Sequence, residues 1–191
     1  MFQYLILERM RGLDFTMRDL NPYKRSNGIY HGYSKTNEKH LREIFRRLDY
    51  EGARLLDVGC GKGVVLKEAV RFPFEKIAGI EVEQELVGIA EKNFIRLGIA
   101  DKVRCIHADA ADFTEYGSYN IFFLFNPFSE SVLRKVADRM LGSQKKGKEI
   151  TVIYHNPRFL HVFEEKCQVP GKEMLYDALK DYDTCILRLK V

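Results

Sequence analysis

The residues from Leu55 to Gly63 form the segment of this chain that is best suited to binding a ligand. Two leucines precede the acid Asp57, and glycine then recurs at every second position, at 59, 61 and 63. The apolar run predicts a buried strand, and the glycines predict a tight turn into a helix that begins near Val64. Glycine permits unusual dihedral angles and lets a ligand approach the main chain closely. A carboxylate beside this turn favours a ligand with a cationic group over a pyrophosphate.

Two common phosphate-binding motifs do not fit this turn. A dinucleotide-binding G-x-G-x-x-G sequence needs glycine three positions after Gly61, where the chain has Val64. A phosphate loop needs Ser or Thr after its lysine, whereas Lys62 is followed by Gly63. A glycine turn with a purely structural role is the remaining alternative.

The sequence Asp57-x-Gly59-x-Gly61-x-Gly63 resembles motif I of the class I S-adenosylmethionine (SAM) dependent methyltransferases. The resemblance implies that S-adenosyl-L-methionine is the cofactor. It also implies that the cofactor contacts the motif residues, which are Asp57, Gly59, Cys60, Gly61 and Gly63.

A second acid, Glu81, ends the next apolar run, 24 positions after Asp57. An acid at the tip of the second strand, about 20 residues past a glycine turn, suits hydrogen bonds to both hydroxyls of a ribose. Glu83 and Glu85 are predicted to start the following helix, where acids complement the helix dipole. A helix-start acid is also the alternative for Glu81, but its position relative to the glycine turn favours the ribose role.

A third acid, Asp109, follows the third predicted strand. The resemblance implies that Asp109 accepts a hydrogen bond from the exocyclic amine of adenine and that the N–H of Ala110 is offered to a ring nitrogen. Asp112 is a competing candidate, or the cap of a turn. His107, at the same strand end, is predicted to be a packed or solvated bystander.

The tripeptide Asn126-Pro127-Phe128 directly follows the most apolar run of the chain. It resembles motif IV of amino-directed methyltransferases, [D/N/S]-P-P-[F/Y/W], with one proline in place of two. The resemblance implies that the Asn126 side chain and a main-chain carbonyl accept hydrogen bonds from the target nitrogen, beside the cofactor, and that Phe128 packs on the substrate. Two acceptors would aim the nitrogen lone pair at the methyl group. A simple turn after a strand is the alternative.

Further features resemble the branch of the family that includes lysine-directed methyltransferases of the DOT1-like kind. They are the glycine turn followed by an apolar helix, the sequence Gly79-Ile80-Glu81, and the Asn-Pro-Phe tripeptide. The missing second proline argues against a nucleobase amine and leaves nitrogen as the predicted acceptor atom. The acceptor molecule stays open between a protein, a small molecule and RNA.

Transfer from a sulfonium needs no metal ion and no covalent nucleophile, so no metal site is predicted. The protein must bind the cofactor, exclude water and orient the acceptor. Candidates for a proton acceptor are Tyr154 and His155 after the fifth strand, and Tyr30, His31 and Tyr33 before the first helix. The segment 30–36 is also predicted to fold over the cofactor, as the region ahead of motif I commonly does in the family.

Strand and helix patterns alternate from residue 54 onward. Predicted strands are 54–58, 76–81, 102–108, 119–125 and 149–154, followed by strand-like stretches near 173–177 and 184–190. Predicted helices are about 62–71, 84–97, 129–141 and about 158–166. An earlier helix carries Leu41, Ile44, Phe45 and Leu48 on one face, with Ser34 or Thr36 as its N-cap.

This order predicts an α/β fold with a mostly parallel sheet covered by helices on both faces. The last two strands are separated by a short loop, which predicts an antiparallel hairpin at one sheet edge. The expectation is a three-layer, Rossmann-like methyltransferase fold with seven strands. Residues 1–191 are expected to form a single domain, with a helical cap segment over 1–50 and the core over 51–191.

Composition sets broad limits on the function. The chain has 191 residues, of which 46% are apolar and 30% charged, values typical of a globular protein outside the membrane. Four cysteines without C-x-x-C spacing are expected to be free thiols in a reducing cytoplasm. Residues 1–50 hold ten Lys or Arg against six Asp or Glu, an excess that equals the net charge of +4 of the whole chain. Any electrostatic preference for an acidic partner therefore lies in that segment.

Two other function classes are compatible with parts of this pattern. A nicotinamide-dependent oxidoreductase would share the sheet and the ribose acid, but it would need a different glycine turn without the leading acid. A non-catalytic SAM-binding partner subunit would keep the cofactor motifs, but it would have no need of Asn126. The favoured prediction is a SAM-dependent methyltransferase that acts on nitrogen.

Overall fold

Seven strands form one mixed sheet in the computed structural model, which describes residues 8, 10–16, 35–179 and 182–191. The strands are β1 (Arg54–Val58), β2 (Lys76–Glu81), β3 (Arg104–His107), β4 (Ile121–Phe125), β5 (Glu149–His155), β6 (Gln168–Asp177) and β7 (Tyr182–Lys190). Their order across the sheet is β3-β2-β1-β4-β5-β7-β6. The first five strands are parallel and β7 is antiparallel to both of its neighbours. The predicted fold class is therefore confirmed.

Five α-helices connect and flank these strands in the described part of the chain. They are α1 (Glu38–Phe45), α2 (Val64–Ala69), α3 (Gln84–Leu97), α4 (Glu130–Gly142) and α5 (His161–Glu164). The predicted N-cap of α1 is wrong, because Asn37 caps the helix by accepting a hydrogen bond from the backbone N–H of Lys39. Thr36, one of the two predicted caps, does not cap the helix. The other, Ser34, lies outside the described residues.

Several predicted bounds differ from the observed ones. Helix α2 begins only after Gly63, because that residue has a left-handed conformation with φ of 82°. Strand β3 is shorter than predicted, since Lys102 is held in the preceding turn by a 3.0 Å hydrogen bond to Ile99. Strand β6 begins earlier than predicted, because it pairs with β7 as far as Gln168, across an irregularity that ends at Gly171.

The two faces of the sheet support separate apolar clusters. Leu56 and Val58 of β1 belong to the cluster under α4 and α5, whereas Leu55 belongs to the cluster under α1, α2 and α3. Side chains alternate along a strand, so Asp57 lies on the same face as Leu55. The polar end of β1 therefore faces the side covered by α1 and α2.

The helices are short relative to a bilayer. The longest, α3, has 14 residues, whereas a membrane-spanning helix needs about 20. Across the described ranges, no helix combines the length and the apolar character needed to cross a membrane.

The strand order changes direction between β1 and β4, because β2 and β3 lie on one side of β1 and β4 and β5 lie on the other. In open α/β sheets, ligands bind beyond the carboxyl ends of the strands at such a point. The predicted site residues follow β1, β2, β3 and β4, and the fold brings the ends of these parallel strands to this edge.

Candidate functional site

The loop after β1 is held in a fixed shape by β2 and α3. Gly59, Gly61 and Gly63 have φ values of 86°, 53° and 82°, which glycine adopts without strain. The N–H groups of Gly59 and Cys60 both donate to the carbonyl oxygen of Ile80 at 2.9 Å. A Cβ on Gly63 would collide with the ring of Phe94. Glycine at this position is thus required by both backbone conformation and space.

Asp57 places a buried carboxylate beside this loop. The residue is 2% exposed, and its Oδ2 has no hydrogen-bond partner among the described residues. Burial, and secondarily the negative charge of Glu81, raise the pKa of Asp57 well above its ordinary value. A buried, unpartnered carboxylate oxygen is unfavourable by itself. A cationic ligand would remove this penalty, so Asp57 fits the ammonium group of an amino acid.

Glu81 lies at the end of β2 with its carboxylate fixed by the main chain. Its Oε2 accepts from the N–H of Gly61 and its Oε1 accepts from the N–H of Glu83, both at 3.0 Å. Burial raises the pKa of Glu81, and these main-chain hydrogen bonds oppose that change. Each carboxylate oxygen can accept a second hydrogen bond. The two oxygens are therefore oriented and still able to accept from a pair of hydroxyls.

The predicted adenine residues follow β3. The Oδ1 of Asp109 accepts from the N–H of Ala111 at 2.8 Å, so the carboxylate stabilises its own turn. Ala110 is 5% exposed, and its carbonyl accepts from the hydroxyl of Tyr116. The competing Asp112 instead points to the surface, where its carboxylate pairs with Arg139 of α4 at 3.3 Å.

Asn126 begins the loop after β4 in a left-handed conformation, with φ of 36°. It is 5% exposed, and its Oδ1 accepts from the hydroxyl of Tyr154 at 3.3 Å. Pro127 lies against the glycine loop, since a Cβ on Gly59 would come within 3.2 Å of the proline Cβ. The fold thus brings the predicted catalytic tripeptide next to motif I. Phe128 is 4% exposed and its ring packs in the apolar cluster under α4.

The candidate proton acceptors have different environments. Tyr154 is fully buried, and burial raises its pKa to about 12, so at neutral pH its hydroxyl is a donor and not a base. His155 is buried, with its Nδ1 2.7 Å from the Oγ1 of Thr184. His107 is exposed, with its Nε2 3.0 Å from the carbonyl oxygen of Val82. Tyr30, His31 and Tyr33 lie outside the described residues, as does most of the segment predicted to fold over the cofactor.

Sequence reasoning missed an anchor between the N-terminal segment and the glycine loop. Lys62 is 3% exposed, and its Nζ forms a 2.7 Å ion pair with Asp14. Asn93 of α3 accepts from the N–H of Asp14 and donates to its carbonyl oxygen. No local pattern predicts this pair, because its members are 48 positions apart. These contacts hold the segment around Asp14 against the glycine loop and α3.

The cysteines are free thiols in the structure. Cys60 of the glycine loop and Cys105 of β3 have sulfur atoms 3.3 Å apart. Within the ranges that the structure describes, no group of three or more His, Cys, Asp or Glu side chains is arranged to hold a metal ion.

The geometry agrees with a sequence comparison across the core of the chain. Residues 55–147 match a family described as a methyltransferase domain, and this range holds every predicted cofactor residue. This part of the chain, 93 of the 191 residues, is similar to that domain family. Domains of this family use SAM, the cofactor predicted from the sequence.

Curated relatives resemble only part of the chain. A ribosomal protein L11 methyltransferase of Aliivibrio fischeri is 32% identical over 61 residues, which cover 32% of this chain and 21% of the relative. The rRNA N(6)-adenosine-methyltransferase metl-5 of Caenorhabditis elegans is 27% identical over 73 residues, 38% of this chain and 34% of the relative. A ubiquinone biosynthesis O-methyltransferase of Burkholderia vietnamiensis is 34% identical over 70 residues, 37% of this chain and 30% of the relative. The matches thus span about a third or less of these relatives.

Solved structures share the fold over most of the chain. An RNA methyltransferase from Salinibacter ruber, solved with S-adenosyl-L-homocysteine, superposes with a TM-score of 0.61 at 20% identity. The match covers 83% of this chain and 94% of that one. At this identity the likeness supports the methyltransferase fold and leaves the substrate open.

Proposed function

We propose that this protein is a SAM-dependent methyltransferase that transfers the methyl group to a nitrogen atom by in-line displacement. The observation that carries the proposal is the unpartnered, buried Oδ2 of Asp57 beside the glycine loop. We further propose that residues 1–191 act as a single domain, with the segment before residue 51 as a cap.

The described residues fit SAM at each of its parts. Asp57 would hold the ammonium group, and the loop of Gly59, Cys60, Gly61 and Gly63 would admit the amino-acid end close to the main chain. Glu81 would accept from the two ribose hydroxyls, and Asp109 with Ala110 would contact the adenine. When bound, the sulfonium supplies an electrophilic methyl group.

Asn126 is the group best placed to orient the acceptor. Its Oδ1 already accepts one hydrogen bond from Tyr154, which fixes the direction of the amide, and a carbonyl oxygen can accept a second. A nitrogen that donates to this oxygen would be held with its lone pair in a defined direction. Holding reactants in a productive geometry supplies a large part of the rate enhancement in such transfers.

Oxygen is the second candidate acceptor atom. The N6-adenosine methyltransferase among the relatives supports nitrogen, whereas the ubiquinone biosynthesis relative is an O-methyltransferase. A nitrogen acceptor is favoured by the resemblance of the Asn-Pro-Phe tripeptide to motif IV of amino-directed methyltransferases. The names of these relatives refer to a ribosomal protein, to adenosine in rRNA and to ubiquinone biosynthesis. A protein, an RNA and a small molecule are therefore all candidate acceptors.

The proposal is tested by incubating the protein with methyl-tritiated SAM and cell extract, followed by separation into protein, nucleic-acid and small-molecule fractions. Label in one fraction, recovered after hydrolysis as an N-methylated amine, is the expected result, and label recovered as a methyl ether or released as a methyl ester would favour an oxygen acceptor. Asn126→Ala should retain SAM affinity and lose transfer. Unchanged transfer by this variant would remove Asn126 from the mechanism, and SAM binding without transfer to any fraction would favour a non-catalytic subunit. Binding of NAD in place of SAM in a calorimeter would favour an oxidoreductase.

A further inference from the structure

Two thiols from different elements meet beside the glycine loop. Cys60 lies in the loop after β1 and Cys105 lies in β3, 45 positions further along the chain, and their sulfur atoms are 3.3 Å apart. Both are free thiols, with Cys60 4% exposed and Cys105 half-buried. The proposed cofactor contacts use the main chain of the loop and leave both sulfur atoms without a role.

Gly79 of β2 provides the space in which the two sulfur atoms meet. It is paired with Cys105 in the β2–β3 register. A Cβ on Gly79 would lie 2.5 Å from the Cβ and 2.8 Å from the Sγ of Cys60. The side chain of Cys60 therefore lies directly over Gly79 and reaches across β2 to the neighbouring strand. Both cysteines contribute to the apolar cluster under α1, α2 and α3, so they lie on the same face of the sheet.

The two thiols differ in their access to an oxidant. The pKa of Cys60 is raised well above its ordinary value by the hydrogen bond with Cys105, then by burial and by nearby negative charges that include Asp57 and Glu81. Cys60 is therefore a protonated, covered thiol at neutral pH. Cys105 is half-buried, so it is the sulfur that a small oxidant meets first. An accessible cysteine in contact with a second one has the arrangement of a redox-sensing pair.

We propose that Cys60 and Cys105 form a reversible disulfide in the presence of hydrogen peroxide and that this bond weakens the binding of SAM. The effect on SAM rests on the proposed function. The sulfur of Cys105 attacks one oxygen of the peroxide, the O–O bond breaks, and Cys105 becomes a sulfenic acid as one water leaves. The sulfur of Cys60 then attacks the sulfur of Cys105, the S–O bond breaks, and hydroxide leaves as water with the proton of Cys60. Two thiols are thus oxidised and one peroxide is reduced to two waters.

The disulfide would displace the loop that admits the cofactor. The two sulfur atoms must approach from 3.3 Å to about 2.05 Å. Cys105 belongs to a strand of the sheet and Cys60 to a loop, so the loop is the part expected to move. The N–H of Gly61, the next residue, fixes the Oε2 of Glu81. Movement of Cys60 would therefore disturb both the main chain that receives the amino-acid end and the carboxylate that receives the ribose.

Peptide mapping tests the disulfide without a cofactor or an acceptor. The reduced protein is treated with hydrogen peroxide, its remaining thiols are blocked with N-ethylmaleimide, and it is digested with trypsin. Cleavage after Lys and Arg places Cys60 in the peptide 55–62 and Cys105 in the peptide 105–134. The two peptides should be joined after oxidation, and dithiothreitol should separate them. Blocked thiols at both positions, or a pair that joins other cysteines instead, would overturn the proposal.

Calorimetry measures the effect of the bond on SAM. The oxidised protein should bind SAM at least about 10-fold more weakly than the reduced protein, the lower end for loss of one hydrogen bond to a charged group, and dithiothreitol should restore the affinity. Cys105→Ser should bind SAM within about 2-fold of the reduced, unmodified protein, both before and after peroxide. The matched control is Cys167→Ser, at the other half-buried cysteine, which should lose affinity on oxidation as the unmodified protein does.

The coupling between the disulfide and SAM must be reciprocal. If the disulfide weakens SAM binding by a given factor, SAM in excess of both Kd values must disfavour the disulfide by the same factor. In glutathione buffers, SAM should therefore move the point of half oxidation toward more oxidising conditions. An unchanged point of half oxidation would contradict the coupling.

The outcomes separate this inference from the proposed function. Equal SAM affinity of the oxidised and reduced proteins, with the disulfide present, would refute control of the cofactor site. A loss of affinity in Cys105→Ser after peroxide would show that another oxidised group is responsible, and would refute the role of this pair. Absence of SAM binding by the reduced protein would refute the proposed function and the effect on SAM together, whereas the peptide map would still decide whether the disulfide forms.

Discussion

Replacement of Asp57 by Asn removes the buried negative charge beside the glycine loop and keeps the size of the side chain. The carboxylate has two opposing effects in the structure. In the ligand-free protein its ionised form is a buried charge close to Glu81, with one oxygen unpartnered among the described residues, and this raises the pKa of Asp57. In the complex it would pair with the ammonium group of SAM. Asp57→Asn should therefore stabilise the free protein and weaken cofactor binding.

The size of each effect follows from the burial of Asp57, which is 2% exposed. Burying an unpaired charge costs at least as much as a buried unsatisfied polar group, about 1–3 kcal/mol, and the Asn amide retains part of that cost. We expect the free energy of unfolding at pH 8 to rise by about 1 kcal/mol, which raises Tm by about 2–4 °C for a chain of this size. Loss of a hydrogen bond to a charged group costs about 1.5–3 kcal/mol, equivalent to about 10- to 150-fold weaker SAM binding.

The pH dependence has a defined sign. Asp57 and Glu81 have folded-state pKa values above their ordinary values of 3.8 and 4.5. Their contribution to stability is therefore fully present below those ordinary values and is lost as pH rises through the raised pKa values. Because SAM favours the ionised form of Asp57, the increase in Tm caused by SAM should become larger as pH rises through the raised pKa of Asp57. In Asp57→Asn the increase in Tm caused by SAM should depend less on pH.

Calorimetry with SAM, together with thermal unfolding at several pH values, measures both effects. The matched control is Asp101→Asn, which removes an equal charge from an exposed turn between α3 and β3 and should change neither quantity. A variant Asp57→Asn that binds SAM as tightly as the unmodified protein would refute the role assigned to the carboxylate. A fall in the free energy of unfolding would show that the charge is compensated in the free protein.

Other substitutions test the loop and the acceptor site. Gly79→Ala should weaken SAM binding and lower the urea midpoint of unfolding, because its Cβ would lie 2.5 Å from the Cβ of Cys60; Gly88→Ala, in open space on α3, should be neutral or stabilising by up to about 1 kcal/mol. Equal midpoints for the two variants would contradict this packing argument. Tyr154→Phe removes the hydroxyl that donates to Asn126. It should lower turnover about 2- to 10-fold, as expected for about 0.5–1.5 kcal/mol, without a change in the Kd for SAM, and an unchanged turnover would argue against an orienting role.

The parts of the fold that were predictable are those set by local sequence. Strands β1 and β2 and helix α3 have the predicted bounds. Continuous apolar runs define both strands, and α3 ends where Gly98 adopts a left-handed conformation with φ of 65°. The strand order places the predicted residues after β1, β2 and β4 at one edge, because parallel strands align their carboxyl ends.

The remaining features depend on contacts between distant segments. Asn37 caps α1 while its side-chain amide reaches Asp177, 140 positions away, which no local pattern indicates. The ion pair of Lys62 with Asp14 is similarly non-local. The motif alone did not show that the ring of Phe128 packs under α4, because the direction of a side chain after a strand depends on the turn that follows.

The most direct measurement of the central claim is a crystal structure of the protein with S-adenosyl-L-homocysteine. The amino-acid end of the ligand should lie at Asp57 and the ribose hydroxyls at the carboxylate of Glu81. A ligand bound away from both carboxylates, or a dinucleotide that occupies this edge of the sheet in its place, would contradict it.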